Sequence, residues 1–248
     1  MGNFAKRLMG LAVLAILPFS APAETARIAV ATNFAPTAEQ LAAAYSAASG
    51  NTVEVTGGAT GKLYAQISAG APFDAFLSAD AATPEKLADD GLALADSQVT
   101  YATGQLVLWS ADAATDLSDP GAALTAARYV AIANPDLAPY GKAAVETLAA
   151  LGLPADLDGR MVTGENVGQA LTMVASGAAD LGFVAASALV GKTGGVAWAV
   201  PAGLHAPIRQ AAILLTRGKD NTAAQGFLAY LAQPEARAAI TAAGYVAE

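Results

Sequence analysis

Cysteine is absent from this chain of 248 residues. The sequence therefore excludes disulfide bonds, thiolate metal sites, a cysteine nucleophile and a lipid-bearing cysteine. Histidine occurs once, as His205, in a connection rich in proline and glycine, where we expect a solvated loop residue. With one histidine and no G-x-S-x-G motif, a serine catalytic triad is not expected.

The acidic residues show no spacing that suggests a carboxylate pair for acid–base chemistry. The segment from Gly57 to Leu63, G-G-A-T-G-K-L, invites comparison with a phosphate-binding P-loop. It is one residue too short, however, and Leu63 stands where that motif needs a hydroxyl. The sequence therefore predicts a binding protein without a cofactor or a protein-bound metal cation, and not an enzyme. We interpret the acids nearest to polar loops as caps, turn residues or interface charges: Asp74, Asp80, Asp136, Glu165 and Asp180.

Positive charge is scarce, with 13 Lys and Arg residues against 21 Asp and Glu residues and a net charge of −8. Nucleic acids and anionic membranes are poor partners for such a surface. If the ligand is an anion, local dipoles and neutral hydrogen-bond donors must hold it, because the overall field repels it. This places the predicted site in the loops and not on the charged surface.

Long apolar runs are also lacking beyond the N-terminus. Lys6 and Arg7 precede an apolar stretch from Leu8 to Phe19, and a small-residue site ends at Ala23. This order predicts a secretory signal peptide over residues 1–23 and export to the periplasm. No later segment approaches the roughly 18 consecutive apolar residues that a membrane-spanning helix needs.

The feature that is present is a repeated pattern of strand, polar loop and helix. The apolar run from Ile28 to Ala31 predicts a strand, Thr32 and Asn33 form a polar loop, and apolar residues then recur at helical spacing. The first N–H groups of a helix have no partner within it and carry part of a positive charge. We predict that four such loops converge on one small oxyanion, the other three leading into helices at Thr60, Tyr140 and Val167.

Alternating strands and helices predict an α/β fold of two lobes, each a mostly parallel sheet flanked by helices. We place the first lobe at residues 24–104 plus 206–248 and the second at residues 105–205, with two crossing connections as the hinge. The predicted strands are Ile28 to Ala31, Val53 to Val55, Ala75 to Leu77, Leu106 to Trp109, Tyr129 to Ala133, Met161 to Val162, Leu181 to Ala185, Val196 to Val200 and Ile208 to Leu215.

Several stretches along the mature chain match one known family. They are Ala31-Thr32-Asn33-Phe34, Tyr64-Ala65-Gln66-Ile67, Gly70-Ala71-Pro72, Phe76-Leu77-Ser78-Ala79-Asp80, Leu106-Val107-Leu108-Trp109-Ser110, Ala138-Pro139-Tyr140-Gly141, Val167-Gly168-Gln169-Ala170 and Ala242-Ala243-Gly244-Tyr245-Val246. On these residues the chain resembles the periplasmic molybdate-binding proteins of ABC transporters, which have the two-lobed periplasmic binding protein fold of type II.

The resemblance implies a periplasmic monomer that captures molybdate, and tungstate as well, between its lobes. It also implies delivery of the ion to an inner-membrane ABC permease with its ATPase. Carried over residue by residue, it implies that the oxyanion is held by Thr32 and Asn33, by Thr60, and by the backbone N–H groups of Tyr140 and Val167.

Two positions depart from the pattern of that family. Thr60 stands where serine is usual, which keeps the hydroxyl and adds a methyl group. Ala185 takes the place of a tyrosine that donates its hydroxyl in some relatives. Beside the loops, we expect Lys62 to be a solvated lysine, although its charge could reach the site, and we expect Glu165 to face solvent.

Two other functions stay open at this point. The chain could be a receptor for another ligand, such as sulfate or a small organic acid, since discrimination against sulfate depends on the size of the cavity. The same fold also serves as the effector module of transcriptional regulators, which would need a helix-turn-helix where the signal peptide stands. Hydrogen phosphate is disfavoured because its proton requires an acceptor.

Overall fold

The structure is a computed structural model that describes residues 23–247. The predicted signal peptide therefore lies, apart from Ala23, outside the described residues. Within the described part of the chain, no helix is long and apolar enough to cross a membrane. The described residues form two mixed sheets, each covered by helices.

The first lobe is built on a six-stranded sheet with the strand order β11-β4-β10-β3-β1-β2. Its strands are β1 (Thr25–Ala31), β2 (Thr52–Gly58), β3 (Ala75–Leu77), β4 (Val99–Gly104), β10 (Ile208–Leu214) and β11 (Val246–Ala247). Its helices are α1 (Ala35–Ser49), α2 (Thr60–Ser68), α3 (Ala82–Asp89), α7 (Thr222–Tyr230) and α8 (Pro234–Ala242).

The second lobe is built on a five-stranded sheet with the strand order β7-β6-β8-β5-β9. Its strands are β5 (Leu106–Ser110), β6 (Val130–Ala133), β7 (Met161–Gly164), β8 (Leu181–Ala185) and β9 (Val196–Ala199). Its helices are α4 (Pro120–Ala126), α5 (Pro139–Ala150) and α6 (Val167–Ala175). The chain passes between the two sheets twice, from β4 to β5 and from β9 to β10.

The sheets are mixed, whereas the sequence led us to expect mostly parallel ones. In the first lobe β1 pairs in parallel with β2 and β3, and in the second β6 pairs in parallel with β7 and β8. The first strand after each crossing runs the other way: β10 is antiparallel to β3 and β4, and β5 is antiparallel to β8 and β9. A strand that returns from the other lobe enters its sheet without a helical crossover, so it need not be parallel to its neighbours.

Strand β1 confirms the prediction of a strand covered on both faces. Ile28 and Val30 are fully buried in an apolar cluster with α1 and α7, and Ala29 is fully buried in a second cluster beneath α2 and α3. Burying a side chain of this size contributes about 1.5–3 kcal/mol. The rigid strand fixes where the loop after Ala31 begins.

The core of the second lobe extends to the first. Ala31 and Ala79 of the first lobe belong to the same apolar cluster as the residues around β6, β8, α5 and α6. The two lobes are therefore in contact, and the loops at the ends of their parallel strands face each other.

Candidate anion-binding site

A small cavity lies between the lobes, at the ends of β1, β2, β6 and β7. The space open to the centre of a water-sized sphere is about 10 Å³. The cavity is therefore small and compact. Its lining residues come from both lobes and include all five predicted contacts: Ala31, Thr32, Asn33, Gly58, Ala59, Thr60, Ala79, Ala138, Pro139, Tyr140, Asn166 and Val167.

A larger depression of about 780 Å³ lies elsewhere on the second lobe. It is wide open, and Asp112, Asp116 and Asp180 line it. These carboxylates repel anions, and none of the four predicted loops reaches it. We therefore place the site in the small cavity, where the sequence pattern and the geometry agree.

Four helices begin at the small cavity, each directly after a parallel strand. They are α1, α2, α5 and α6, and the loops before them supply most of the lining. The N-terminus of a helix presents unpaired N–H groups and the positive end of the helix dipole. Four such ends, two from each lobe, make the centre of this cavity favourable for negative charge without any charged side chain.

Thr32 and Asn33 form the loop between β1 and α1. The N–H of Thr32 donates to the carbonyl oxygen of Gly58 at 2.9 Å, which ties the loop to β2. Among the described residues, neither the hydroxyl of Thr32 nor the N–H of Asn33 has a hydrogen-bond partner. Both are donors that remain available at the cavity wall.

The side chain of Asn33 points away from the cavity, because other groups hold its amide. Its Nδ2 donates to Oε1 of Gln210 at 2.8 Å and lies 3.3 Å from the hydroxyl of Tyr245. The Tyr245 hydroxyl in turn donates to the backbone oxygen of Asn33 at 2.6 Å. If Asn33 contacts an anion in this arrangement, it does so through its backbone N–H.

Thr60 is the first residue of α2, and Ala59 is the residue that caps the helix. It is 3 % exposed, and its Oγ1 accepts from the N–H of Ala79 at 3.4 Å. The hydroxyl proton is therefore free to point into the cavity. Because Ala59 takes the capping position, Thr60 contributes a free N–H as well as the hydroxyl.

The second lobe contributes backbone donors. Pro139 is the first residue of α5, so the N–H of Tyr140 is the first one that this helix presents. Val167 is the first residue of α6, and the Asn166 side chain caps that helix by accepting from the N–H of Gln169 at 3.1 Å. Within the described residues, the N–H groups of Tyr140 and Val167 have no hydrogen-bond partner.

A buried polar network lies behind the first loop and was missed by sequence reasoning. Gln210 is fully buried on β10, and its Oε1 lies 3.2 Å from the hydroxyl of Tyr101 on β4. Burial raises the pKa of Tyr101 well above its usual value and raises the pKa of Tyr245 to about 12. Both hydroxyls therefore stay protonated and can hold the Asn33 loop. A glutamine in the apolar run of β10 was the available sequence signal.

Among the residues that the structure describes, no carboxylate lines the small cavity. Glu165 is the nearest acid along the chain, and its Oε2 lies 2.6 Å from Nζ of Lys62 on the other lobe. The Glu165 side chain is 37 % exposed. Lys62 is thus ion-paired, whereas we expected a solvated lysine. We expected Glu165 to face solvent; it is partly exposed, and its carboxylate contacts Lys62.

The other singled-out positions lie outside the cavity. Ala185 is fully buried in β8, and His205 lies in a partly exposed connection with its Nδ1 2.7 Å from the backbone oxygen of Ala206. No group of three or more His, Cys, Asp or Glu residues in the described part of the chain could hold a metal ion.

The wall of the cavity offers mainly neutral hydrogen-bond donors. It offers the hydroxyls of Thr32 and Thr60 and the N–H groups of Asn33, Thr60, Tyr140 and Val167, with no charged group in the wall. Hydrogen bonds from neutral donors to an anion are shorter and roughly twice as strong as those between neutral partners. Such a cavity suits a small, unprotonated oxyanion.

Comparisons with known proteins agree with this geometry. The sequence profile of the family described as bacterial extracellular solute-binding protein matches residues 26–246. The molybdate-binding protein ModA of Rhodobacter capsulatus is 45% identical over 239 residues, which cover 96% of this chain and 94% of that protein. The molybdate-binding protein ModA of Azotobacter vinelandii is 46% identical over 235 residues, with 93% of each covered.

A solved structure gives the same result for the fold. The periplasmic molybdate-binding protein of Azotobacter vinelandii superposes with a TM-score of 0.85 at 42% sequence identity, covering 89% of this chain and 98% of that one. The two-lobed periplasmic binding protein fold expected from the sequence is therefore confirmed.

Proposed function

We propose that this chain, which belongs to the bacterial extracellular solute-binding protein family, captures molybdate between its two lobes. The observation that carries the proposal is the single compact cavity lined by Thr32, Asn33, Thr60, Tyr140 and Val167. These residues were selected from the sequence, and they lie together at the ends of four helices. Two relatives named as molybdate-binding proteins, similar over nearly the whole chain, support the choice of ligand.

The donor set explains how an acidic protein can hold a dianion. The net charge of −8 opposes the approach of any anion. Hydrogen bonds in a narrow cavity between the lobes act at short range, where they outweigh the screened field of distant surface charges. Neutral donors also need no counter-charge when the cavity is empty, so the protein does not bury unpaired cations in the free state.

The neutral hydrogen-bond donors also determine which anions the cavity selects. Molybdate and tungstate are tetrahedral dianions without a proton, so every oxygen can accept from the wall. Hydrogen phosphate carries a proton, which the N–H groups cannot accept, and a threonine hydroxyl that accepted it would leave the anion with one donor fewer. We therefore propose that tungstate binds comparably to molybdate and that phosphate binds far more weakly.

The other open functions have less support. A small organic acid would bring carbon atoms, which cannot accept hydrogen bonds, among these donors, and its carboxylate would use only part of the donor set. Sulfate has the right charge and shape but is smaller than molybdate, so the donors from the two lobes would have to approach more closely. An effector module of a transcriptional regulator would require a DNA-binding segment. The family is one of solute-binding proteins and is not an enzyme class.

The cellular role is proposed by analogy with the family. The chain would act as a periplasmic monomer that passes the anion to an inner-membrane ABC permease driven by its ATPase. This step depends on the family assignment and not on a feature of the cavity.

Calorimetric titration of residues 24–248 with molybdate, tungstate, sulfate and phosphate tests the proposal. We expect binding of molybdate and tungstate with one ion per chain, with sulfate weaker and phosphate unable to displace molybdate at similar concentration. A crystal structure of the complex would then show the ion in the small cavity. Absence of molybdate binding, or displacement by equal phosphate, would contradict the proposal.

A further inference from the structure

The rims of the two lobes meet beside the cavity. The N–H of Gly61, the second residue of α2, donates to the backbone oxygen of Leu137 in the second lobe at 2.9 Å. A Cβ on Gly61 would lie 3.2 Å from Cα of Leu137. The lobes therefore approach backbone to backbone at this point, and glycine makes the approach possible.

An ion pair spans the same rim. Nζ of Lys62 in the first lobe lies 2.6 Å from Oε2 of Glu165 in the second, and the two side chains are 48% and 37% exposed. Lys62 follows the proposed donor Thr60 by two residues, and Glu165 precedes the proposed donor Val167 by two residues. The pair joins the two rims while Thr60 and Val167 line the same cavity.

Neither side chain lines the cavity, so neither is a direct contact of the anion. We infer that Lys62 and Glu165 are positioning residues that form an electrostatic latch, which holds the lobes closed and slows release of the bound anion. This inference rests on the proposed function, because it concerns the release of the same ligand. Opening the lobes separates the pair, so its interaction energy adds to the barrier for release and leaves the open protein unaffected.

The expected effect is small but measurable. Ion pairs between partly exposed groups contribute a fraction of a kilocalorie per mole up to about one. Loss of the pair should therefore accelerate release about two- to fivefold. Because both groups are partly exposed, added salt screens the pair, and the release rate of the wild type should rise with salt towards that of a variant without it.

The test measures the release rate of radioactive molybdate after dilution into unlabelled molybdate. The single variants are Lys62→Met and Glu165→Gln, and the double variant Lys62→Glu with Glu165→Lys exchanges the charges while keeping the pair and the net charge. Lys142→Met is the matched control. Lys142 follows the donor Tyr140 by two residues, as Lys62 follows Thr60, and it has no ion pair among the described residues.

The latch predicts faster release from both single variants, release near the wild-type rate from the charge exchange, and no change in Lys142→Met. Glu165→Gln separates the latch most clearly from simple charge repulsion. It removes a negative charge near an anion, so simple repulsion predicts slower release, whereas the latch predicts faster release.

Unchanged or slower release from Glu165→Gln, or a charge exchange as fast as the single variants, would overturn the latch while leaving the proposed function intact. Wild-type protein that binds no molybdate would contradict the proposed function itself, and the latch with it.

Discussion

Adding one methyl group at Gly168 should weaken anion binding without lowering the stability of the fold. Gly168 is the second residue of α6 in the second lobe, and it packs against Thr32 of the first lobe. A Cβ at this position would lie 2.9 Å from Cγ2 of Thr32 and 3.2 Å from Oδ1 of Asn166. The first distance is shorter than carbon atoms tolerate, so Gly168→Ala requires Thr32 to rotate or the lobes to part.

Either response moves the hydroxyl of Thr32 away from the anion. Losing a hydrogen bond to a charged group costs about 1.5–3 kcal/mol. We therefore expect the Kd for molybdate to rise about tenfold to somewhat over a hundredfold. The ligand-free protein should not be destabilised, because the clash exists only between closed lobes and alanine is a better helix residue than glycine.

Two companion variants make this prediction specific. Gly121→Ala is the matched control, since Gly121 is also the second residue of a helix in the second lobe and its Cβ would meet only Oδ1 of Asp119, at 3.4 Å. Thr32→Ser removes the clashing methyl group and keeps the hydroxyl, so the double variant Thr32→Ser with Gly168→Ala should recover most of the affinity. Calorimetry gives the Kd and thermal unfolding gives the stability of each variant. Wild-type affinity in Gly168→Ala, or no recovery in the double variant, would refute the reasoning.

Three further predictions concern the wall of the cavity and its support. Thr60→Val should weaken molybdate binding by about 1.5–3 kcal/mol in calorimetry, while Thr60→Ser should bind nearly as the wild type; equal affinity in Thr60→Val would exclude the hydroxyl as a donor. Gln210→Leu removes the acceptor of the buried Asn33 amide at 2.8 Å, so urea unfolding should show a loss of about 1–3 kcal/mol and calorimetry weaker binding; an unchanged midpoint would contradict this. Since burial raises the pKa of Tyr245 from 10.0 to about 12, the unfolded state loses this proton first. The free energy of unfolding should be insensitive to this group below about pH 9 and fall by up to about 1.4 kcal/mol per unit between these pKa values. Tyr245→Phe should reduce that slope.

The parts of the fold that local sequence determines were predictable. The apolar run of β1 and the polar loop after it contain their own signals, and Pro139 marks the start of α5 where the structure has it. Strands β4 and β11 were not predicted, because their local signals are weak. Strand β11 has only two residues, and the sequence of β4, V-T-Y-A-T-G, has no clear pattern of apolar and polar residues. The direction of β10 depends on the chain returning from the second lobe, and no local pattern encodes that direction.

The site was predictable to the extent that each loop carries its own pattern. The five predicted residues line one cavity, although their binding of an anion stays a prediction until it is measured. The contacts that connect the loops were not predictable. Lys62 and Glu165 are far apart in sequence and meet only because the lobes are closed, and Gln210 supports Asn33 through packing between β10 and the first loop.

Tyr140 connects the hinge to the site. Its N–H faces the cavity from the second lobe, whereas its side chain is 2 % exposed and reaches the crossing strands of the first. A Cβ on Gly104, the last residue of β4 before the chain crosses, would clash with the Tyr140 hydroxyl and lie 2.9 Å from Nε2 of Gln210. Because Gly104 has no side chain, the ring of Tyr140 can pack at the hinge while its N–H faces the anion cavity. We therefore expect movement of the crossing strands to shift this donor, which would couple lobe closure to completion of the anion cavity.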